Sequence, residues 1–437
     1  MEKNKKEEDI ELIESVDKKA LINEIKNNKI KNEEAKKFVE AIFENYFLDN
    51  DNINFLQLNG YNFFAFDDDQ ECFCLSSLTY KKCCKAKLLN IKDKSYKTYE
   101  QVIVKSDEYE NYLLRMQNYF KTNYDKLSKL EKCNYPQCNN LSQENRLYEI
   151  NFDKKNYLTT NNLNPFDNNF KIGENFFKKV TNKNFSFYGL CLQHYNEIRL
   201  ITVDEQTSDD QIIKIHFLPL LQKLFISKVQ LECLKEEFRN FYNSIEDEGY
   251  KALFIYRIKK ISNLTSSLLN YLKKYKENLL NNKSLKVIKF KLNINKNIKV
   301  YDLLYPQVCP EDFSLVNSVN NIFVKENVAS INIANFNNTS LTTIIYDSEN
   351  ERLKKFFYQY LKILDNKNKS IETFISNCSL ILTDNILLNN DLFYKLDEQT
   401  INLFSALNKF RFENPNMGQE YLKMKFFAGF NKGNNFF

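Results

Sequence analysis

"PLLQKLFISKVQLECLKEEFRNFY", residues Pro219 to Tyr242, is the stretch on which the architecture turns. With Phe217 in front of it, Leu220, Leu224, Leu231, Leu234, Phe238 and Phe241 recur in steps of three and four, and Ser227 is the one polar residue that falls in phase. Such steps gather side chains on one face of an α-helix. Pro219 is read as a first-turn residue, where its missing N–H costs nothing. After the turn "SIEDEG" a second long helix is expected over about 250–281, so the two form an antiparallel hairpin or the spine of a bundle. The same stripe could serve as a dimer seam; packing between the two helices is the reading adopted.

Upstream of this hairpin a helix is expected at roughly 107–130, with Tyr112, Leu113, Met116, Tyr119 and Phe120 on one face. Residues 8 to about 48 read as helical, with Ala35, Phe38, Val39, Ile42, Phe43 and Tyr46 in phase, and 53–66 as a hairpin around Asn59-Gly60. From Ser284 the pattern changes. "SLKVIKFKLNIN", "ASINIANF", "LTTIIYD" and "CSLILT" (378–383) read as strands, and "ENERLKKFFYQYLKIL" and "DEQTINLFSALNKF" as helices. The expected class is α+β and multidomain. The segments are an N-terminal helical part (1–50), a cysteine-rich module (51–106), a helix with a second Cys/His module (107–208), the hairpin (209–283) and an α+β domain with a basic aromatic tail (284–437).

The chain has 437 residues, 43% hydrophobic and 14% aromatic, enough to bury sizeable cores. Glycine (7), proline (6) and tryptophan (0) are scarce, a skew that runs along the whole chain as codon bias does. A net charge of +5, with lysines interleaved among acids, neither indicates nor excludes nucleic acid. The N-terminal stretch has no apolar core of a signal peptide and no window reaches membrane-span length, so a cytoplasmic protein with reduced thiols is expected.

Four of ten cysteines fall within "ECFCLSSLTYKKCC" (71–84): Cys72, Cys74, Cys83 and Cys84. In a reducing compartment a metal is the favoured explanation, against buried or redox thiols. Four thiolates can surround one zinc ion, provided the backbone turns sharply between Cys83 and Cys84, as at the start of a short helix. The spacing C-x-C-x(8)-C-C, with Ser76, Tyr80, Lys81 and Lys82 inside it, resembles the SEC-C zinc-binding motif, named for the C-terminus of the SecA translocation ATPase. Leu75 and Ser77 stand where that motif usually has glycine. The resemblance implies a docking or recognition module that catalyses nothing.

Cys133 and Cys138 ("CNYPQC"), followed far downstream by Cys191 and His194 ("CLQH"), offer a second quartet. C-x4-C before C-x2-H at a helix start is the layout of a treble-clef finger, with 52 residues inserted between its halves. The other reading makes these cysteines core residues and His194 a surface histidine. The layout is similar to the finger of HNH-type nucleases, in which a histidine between the ligand pairs acts as general base. Residues 139–190 contain no histidine, and His216 lies in the apolar run "IIKIHFLPLL", where it reads as packed. No catalytic or cofactor-binding residue is carried over.

"FDDDQ" (66–70) reads as a solvated turn, and Cys233, Cys309 and Cys378 as core. Nucleotide-loop, zinc-protease and serine-hydrolase signatures are absent. In outline the chain resembles bacterial SEC-C-motif proteins, some of them encoded near antiviral defence genes. The expected function is that of a cytoplasmic recognition or adaptor protein with two structural zinc ions, binding protein or nucleic acid. The alternatives are a metal-dependent nuclease of HNH descent and a chaperone or secretion adaptor like SecA.

Overall fold

The computed structural model describes residues 66–88, 106–148, 157–160, 164–166, 177–181, 184–244, 248–280, 284–292, 298–312, 314–317, 325–336, 339–367, 378–379, 382–394, 398–399 and 401–402. The helices expected over 8–48, most of the 53–66 hairpin and the tail from 411 lie outside these residues. The fold is α+β. Among the described residues no helix is long and apolar enough to cross a membrane.

The central helix begins ten residues before the expected start. α3 runs Asp209–Phe241, while α1 (Ser106–Leu130) and α2 (Leu192–Arg199) precede it. Its start is set by a capping box: the Gln211 N–H donates to the Ser208 hydroxyl at 3.3 Å, and the Ser208 N–H to the Gln211 side chain at 3.0 Å. Pro219 therefore sits inside the helix, contrary to the first-turn expectation. A proline there cannot donate to the carbonyl four residues back, which is that of Ile215. The Tyr301 hydroxyl, from a strand packed beneath, donates to that carbonyl instead. Tyr301→Phe should thus leave a buried, unsatisfied carbonyl and cost about 1–3 kcal/mol in chemical denaturation; an unchanged unfolding midpoint would show that the proline is tolerated without this bond.

The stripe identified in the sequence is buried from Phe217 through Phe238, and Ser227 is buried with it, its hydroxyl donating to the Leu224 carbonyl at 2.9 Å. The N-terminal half of α3 is buried all round, as expected of a helix with neighbours on every side. α4 (Glu248–Leu279) returns antiparallel: Phe217 stacks near Tyr275 and Phe238 near Phe254. Leu224 and Leu231 are buried in the core shared by the two helices. α1 packs on another side of α3, with Tyr112, Met116 and Phe120 buried and Arg115 paired to the buried Glu237 at 3.1 Å.

Beneath α3 lies a seven-stranded sheet in the order β3-β2-β9-β6-β7-β8-β5, each neighbour antiparallel. β5 (Leu285–Leu292), β6 (Ile298–Leu304), β7 (Ala329–Phe336), β8 (Thr339–Asp347) and β9 (Ile386–Asn389) come from the C-terminal part. The short β2 (Tyr157–Thr159) and β3 (Lys178–Lys179) come from inside the 107–208 segment. Period-two alternation divides the sheet between two cores. Tyr301, Leu303, Ile345 and Leu387 face the helices, whereas Val300, Leu304, Ile344 and Leu388 face a second core closed by Phe356 and Tyr360 of α5 (Glu351–Lys367).

"CSLILT" is not a strand where it is described. Cys378, Ser379 and Leu382 are helical, and the buried pair Cys378 and Leu382, four apart, shares a helical face. Strands β6 and β9, which the sequence reading passed over, occupy the middle of the sheet.

His216 is packed, as expected, and its surroundings show how. It is fully buried on α3, above β7 and β8, with Nδ1 2.6 Å from the Ser330 hydroxyl and Nε2 2.8 Å from that of Thr343. Burial pushes its pKa down to about 3, so the ring is neutral, donating from one nitrogen and accepting at the other.

Candidate metal centres

The first quartet is built on a short two-legged loop. Glu71 bridges Thr79, the Cys72 N–H donates to the Leu78 carbonyl at 2.8 Å, and the Leu75 N–H donates to the Cys72 carbonyl at 3.0 Å. Leu75 and Ser77 have φ of 59° and 60°. Both positions thus hold a left-handed backbone without glycine. Successive turns then carry the chain from Tyr80 to Cys84, which caps a short 3-10 turn at Lys85–Lys87. This places the adjacent pair Cys83 and Cys84 at the helix-like start that their spacing required. Leu75 is packed against the core, whereas Ser77 is exposed, so glycine at position 77 removes the cost of a Cβ in the left-handed region without losing packing. Ser77→Gly is expected to stabilise the module by up to about 1 kcal/mol, read as slower metal loss to a chelator; an unchanged rate would show that the turn carries no such cost.

The loop is anchored by aromatic rings. Phe73 meets Phe238 of α3 edge-on with centroids 5.2 Å apart, Tyr80 lies 6.1 Å from the same ring, and Phe66 stacks on Phe73 at 4.7 Å. "FDDDQ" is a turn: the Gln70 N–H donates to the Asp67 carbonyl, and Asp68 is paired with Lys85 at 2.6 Å on the surface.

The second quartet combines a knuckle, a two-stranded sheet and a helix. Lys132 bridges Leu141, and the Cys133 N–H donates to the Asn140 carbonyl at 2.8 Å. Within it, Tyr135-Pro136-Gln137-Cys138 makes a tight turn with Gln137 at φ 61° and the Cys138 N–H on the Tyr135 carbonyl. β1 (Gln143–Arg146) pairs antiparallel with β4 (Ser186–Leu190), which delivers Cys191 to the N-cap of α2. The long insertion leaves this pair after Arg146, returns at Ser186 and supplies β2 and β3 to the edge of the large sheet, so Cys133, Cys138, Cys191 and His194 still come together across it. Gly189 is needed for close approach: a Cβ there would stand 3.1 Å from that of Leu221 on α3. Its carbonyl also accepts from the Asn134 N–H at 2.7 Å, tying the knuckle to β4.

In each quartet the four ligand atoms lie within 4.8 Å of one another. Cys74 and Cys83 sulfurs are 3.4 Å apart, and Cys138 and Cys191 sulfurs 4.0 Å. The His194 Nδ1 is 3.3 Å from the Cys191 sulfur and 3.5 Å from that of Cys133, so Nδ1 is the nitrogen turned toward the group. A tetrahedron with metal–sulfur bonds of about 2.3 Å has edges of roughly 3.8 Å, and these spacings cluster around that value. They are far from a disulfide bond of about 2 Å, and all ten cysteines are free. Tyr135 stacks on the His194 ring at 4.0 Å and 10°, fixing its orientation; sequence spacing did not single out this tyrosine.

Crowded thiols divide protons unequally. Hydrogen bonding from Cys84 holds Cys74 down to about 4, while the same bond and burial push Cys84 well up. In the second group burial pushes Cys133 up to about 12. At Cys191 burial acts against ionisation, but the His194 N–H, hydrogen bonds from the Cys133 and Cys138 thiols and the Gln193 N–H together outweigh it and the pKa falls. Ionising all four thiols of the first group, or all three of the second, requires a compensating cation, which a divalent metal supplies. Cys233, Cys309 and Cys378 are buried in the cores, outside both groups.

No family profile, curated protein or solved structure matches this chain significantly.

Proposed function

We propose that the protein is a recognition or adaptor protein whose surface is stiffened by two structural zinc ions, one held by Cys72, Cys74, Cys83 and Cys84 and the other by Cys133, Cys138, Cys191 and His194. The observation that carries this reading is the completeness of both quartets: each offers four sulfur or imidazole donors at tetrahedral spacing. Catalytic zinc sites typically use three protein ligands and keep a position open for water, whereas structural sites close all four. Sulfur-rich sets at this geometry also favour zinc over the harder divalent ions. Each module docks on a different part of α3, Phe73 and Tyr80 against Phe238 and Gly189 against Leu221. The metals would then brace two exposed loops against one scaffold. The macromolecule bound is protein or nucleic acid, and the resemblance of the Cys72–Cys84 spacing to the SEC-C motif, some of whose bearers are encoded near antiviral defence genes, makes that process the one to examine first.

Affinity capture with crosslinking in the native host should recover a specific partner with the wild-type chain and lose it with a folded variant lacking one quartet. In parallel, DNA and RNA incubated with the protein and Mg²⁺ or Mn²⁺ should stay intact. Robust cleavage abolished by a point substitution that leaves the fold unchanged would install the nuclease reading instead.

A further inference from the structure

A cleft of about 260 Å³ opens where the first quartet meets α1 and α3. One wall is the cysteine loop. The others present Lys87, Lys126, Lys235 and Arg239, with Glu232 the one acid lining it. Glu232 is taken by Lys235 at 2.5 Å. Three cations therefore have no carboxylate opposite them in the cleft. Arg239 is steadied by its Nε donating to the Lys235 carbonyl at 3.3 Å. Lys87 and Lys126 are exposed, and among the described residues neither forms an ion pair.

Part of this charge balances the metal centre. Four thiolates around a divalent ion carry two net negative charges, which leaves the cleft with a surplus of positive charge even when the centre is filled. The lysines that supply the surplus come from two separate elements, the turn after Cys84 and α1, and converge on one concavity. Convergent ammonium and guanidinium groups at a partly enclosed surface suit a compact, multiply charged oxyanion.

We propose that this cleft binds a phosphate group, with Lys87, Lys126 and Arg239 as its donors, so that the first metal module is a phosphate-recognition site as well as a brace. The proposal rests on the metal reading only for the shape of the cysteine loop. The phosphate is that of the free anion or of a single-stranded nucleic-acid backbone, and the two are separated by experiment. The full chain is titrated with inorganic phosphate by calorimetry and with a short single-stranded oligonucleotide by fluorescence anisotropy, with metal content measured on the same sample. The Lys87→Ala/Lys126→Ala variant, altered only at exposed positions, should keep its metal and bind phosphate roughly tenfold more weakly or worse. Tighter binding of the oligonucleotide than of phosphate would assign the site to nucleic acid, and the reverse to a small anion. A metal-loaded wild type that binds neither probe, or a double variant that binds as well as the wild type, overturns the proposal. Loss of metal from the variant with no phosphate bound by the wild type overturns it as well, because the lysines then serve only to balance the thiolates. A metal-free wild type that still binds phosphate through these lysines would overturn the metal reading and leave the cleft assignment standing.

Discussion

Replacing Cys191 with serine should strip the second centre of its metal and destabilise the chain by more than about 4 kcal/mol, the largest effect expected of any single substitution. Cys191 directly follows β4, is the N-cap of α2 and holds its sulfur 3.3 Å from the His194 Nδ1. Its neighbours Leu190 and Phe187 are completely buried in the core that includes α3. An incomplete quartet leaves the remaining thiols and imidazole crowded with no cation to draw them together, and the disorder would pass through Gly189 to Leu221. Cys74→Ser should also release one metal, with a smaller loss of global stability, because the first module touches α3 mainly through Phe73, Tyr80 and Phe66. Thermal melts and metal analysis of both variants check the ordering. Equal and small effects would mean that the second quartet is an ordinary patch of core.

The second large effect belongs to His216. Its folded pKa is near 3 and its unfolded value about 6.5. Between these values the unfolded chain binds a proton that the folded chain refuses, so stability rises with pH and is lost as pH falls through this window. From about pH 7.5 to about pH 5 this one group should remove about 2 kcal/mol. Asp302, pushed up to about 6 by burial, works in the opposite direction over part of that range, because its folded form keeps a proton that the unfolded chain has released. The comparison that isolates the histidine is therefore the difference between the wild type and His216→Leu, by urea unfolding at each pH. The variant should be less stable at neutral pH, since the Thr343 hydroxyl loses its partner at about 1–3 kcal/mol, while the Ser330 hydroxyl keeps that of Tyr275 at 3.2 Å. The gap should narrow as pH falls. A gap that does not change with pH would mean that the folded imidazole takes up its proton as readily as the unfolded one, and a gap that widens as pH falls that it is protonated in the fold.

How much of this was legible in the sequence depends on how local the physics is. The two quartets could be read because ligand chemistry restricts residue type and spacing together, and the stripe from Phe217 to Phe238 because helical period is a property of neighbours. Where the partner is remote, the sequence is silent. Pro219 looks like a helix start until Tyr301, 82 residues on, satisfies the carbonyl that the proline abandons. His216 can be called packed from its apolar neighbours, but its hydroxyl partners lie more than 100 residues away on two strands. β2 and β3 are three and two residues long, too short to show a period, and an Asn-rich insertion hides them. "CSLILT" fails for another reason: a short apolar run fits a buried strand and a buried helical turn equally well. Leu75 and Ser77 illustrate a third limit, since a left-handed backbone is adopted here by residues that do not advertise it.

Metal content is the property on which the folding of both modules depends most directly. Elemental analysis with native mass spectrometry, on protein purified without chelator, should find two ions of zinc per folded chain, one for each quartet, and each of Cys74→Ser and Cys191→Ser should lower that number by one. A wild type that is fully folded, cooperative in its unfolding and free of metal would contradict this dependence.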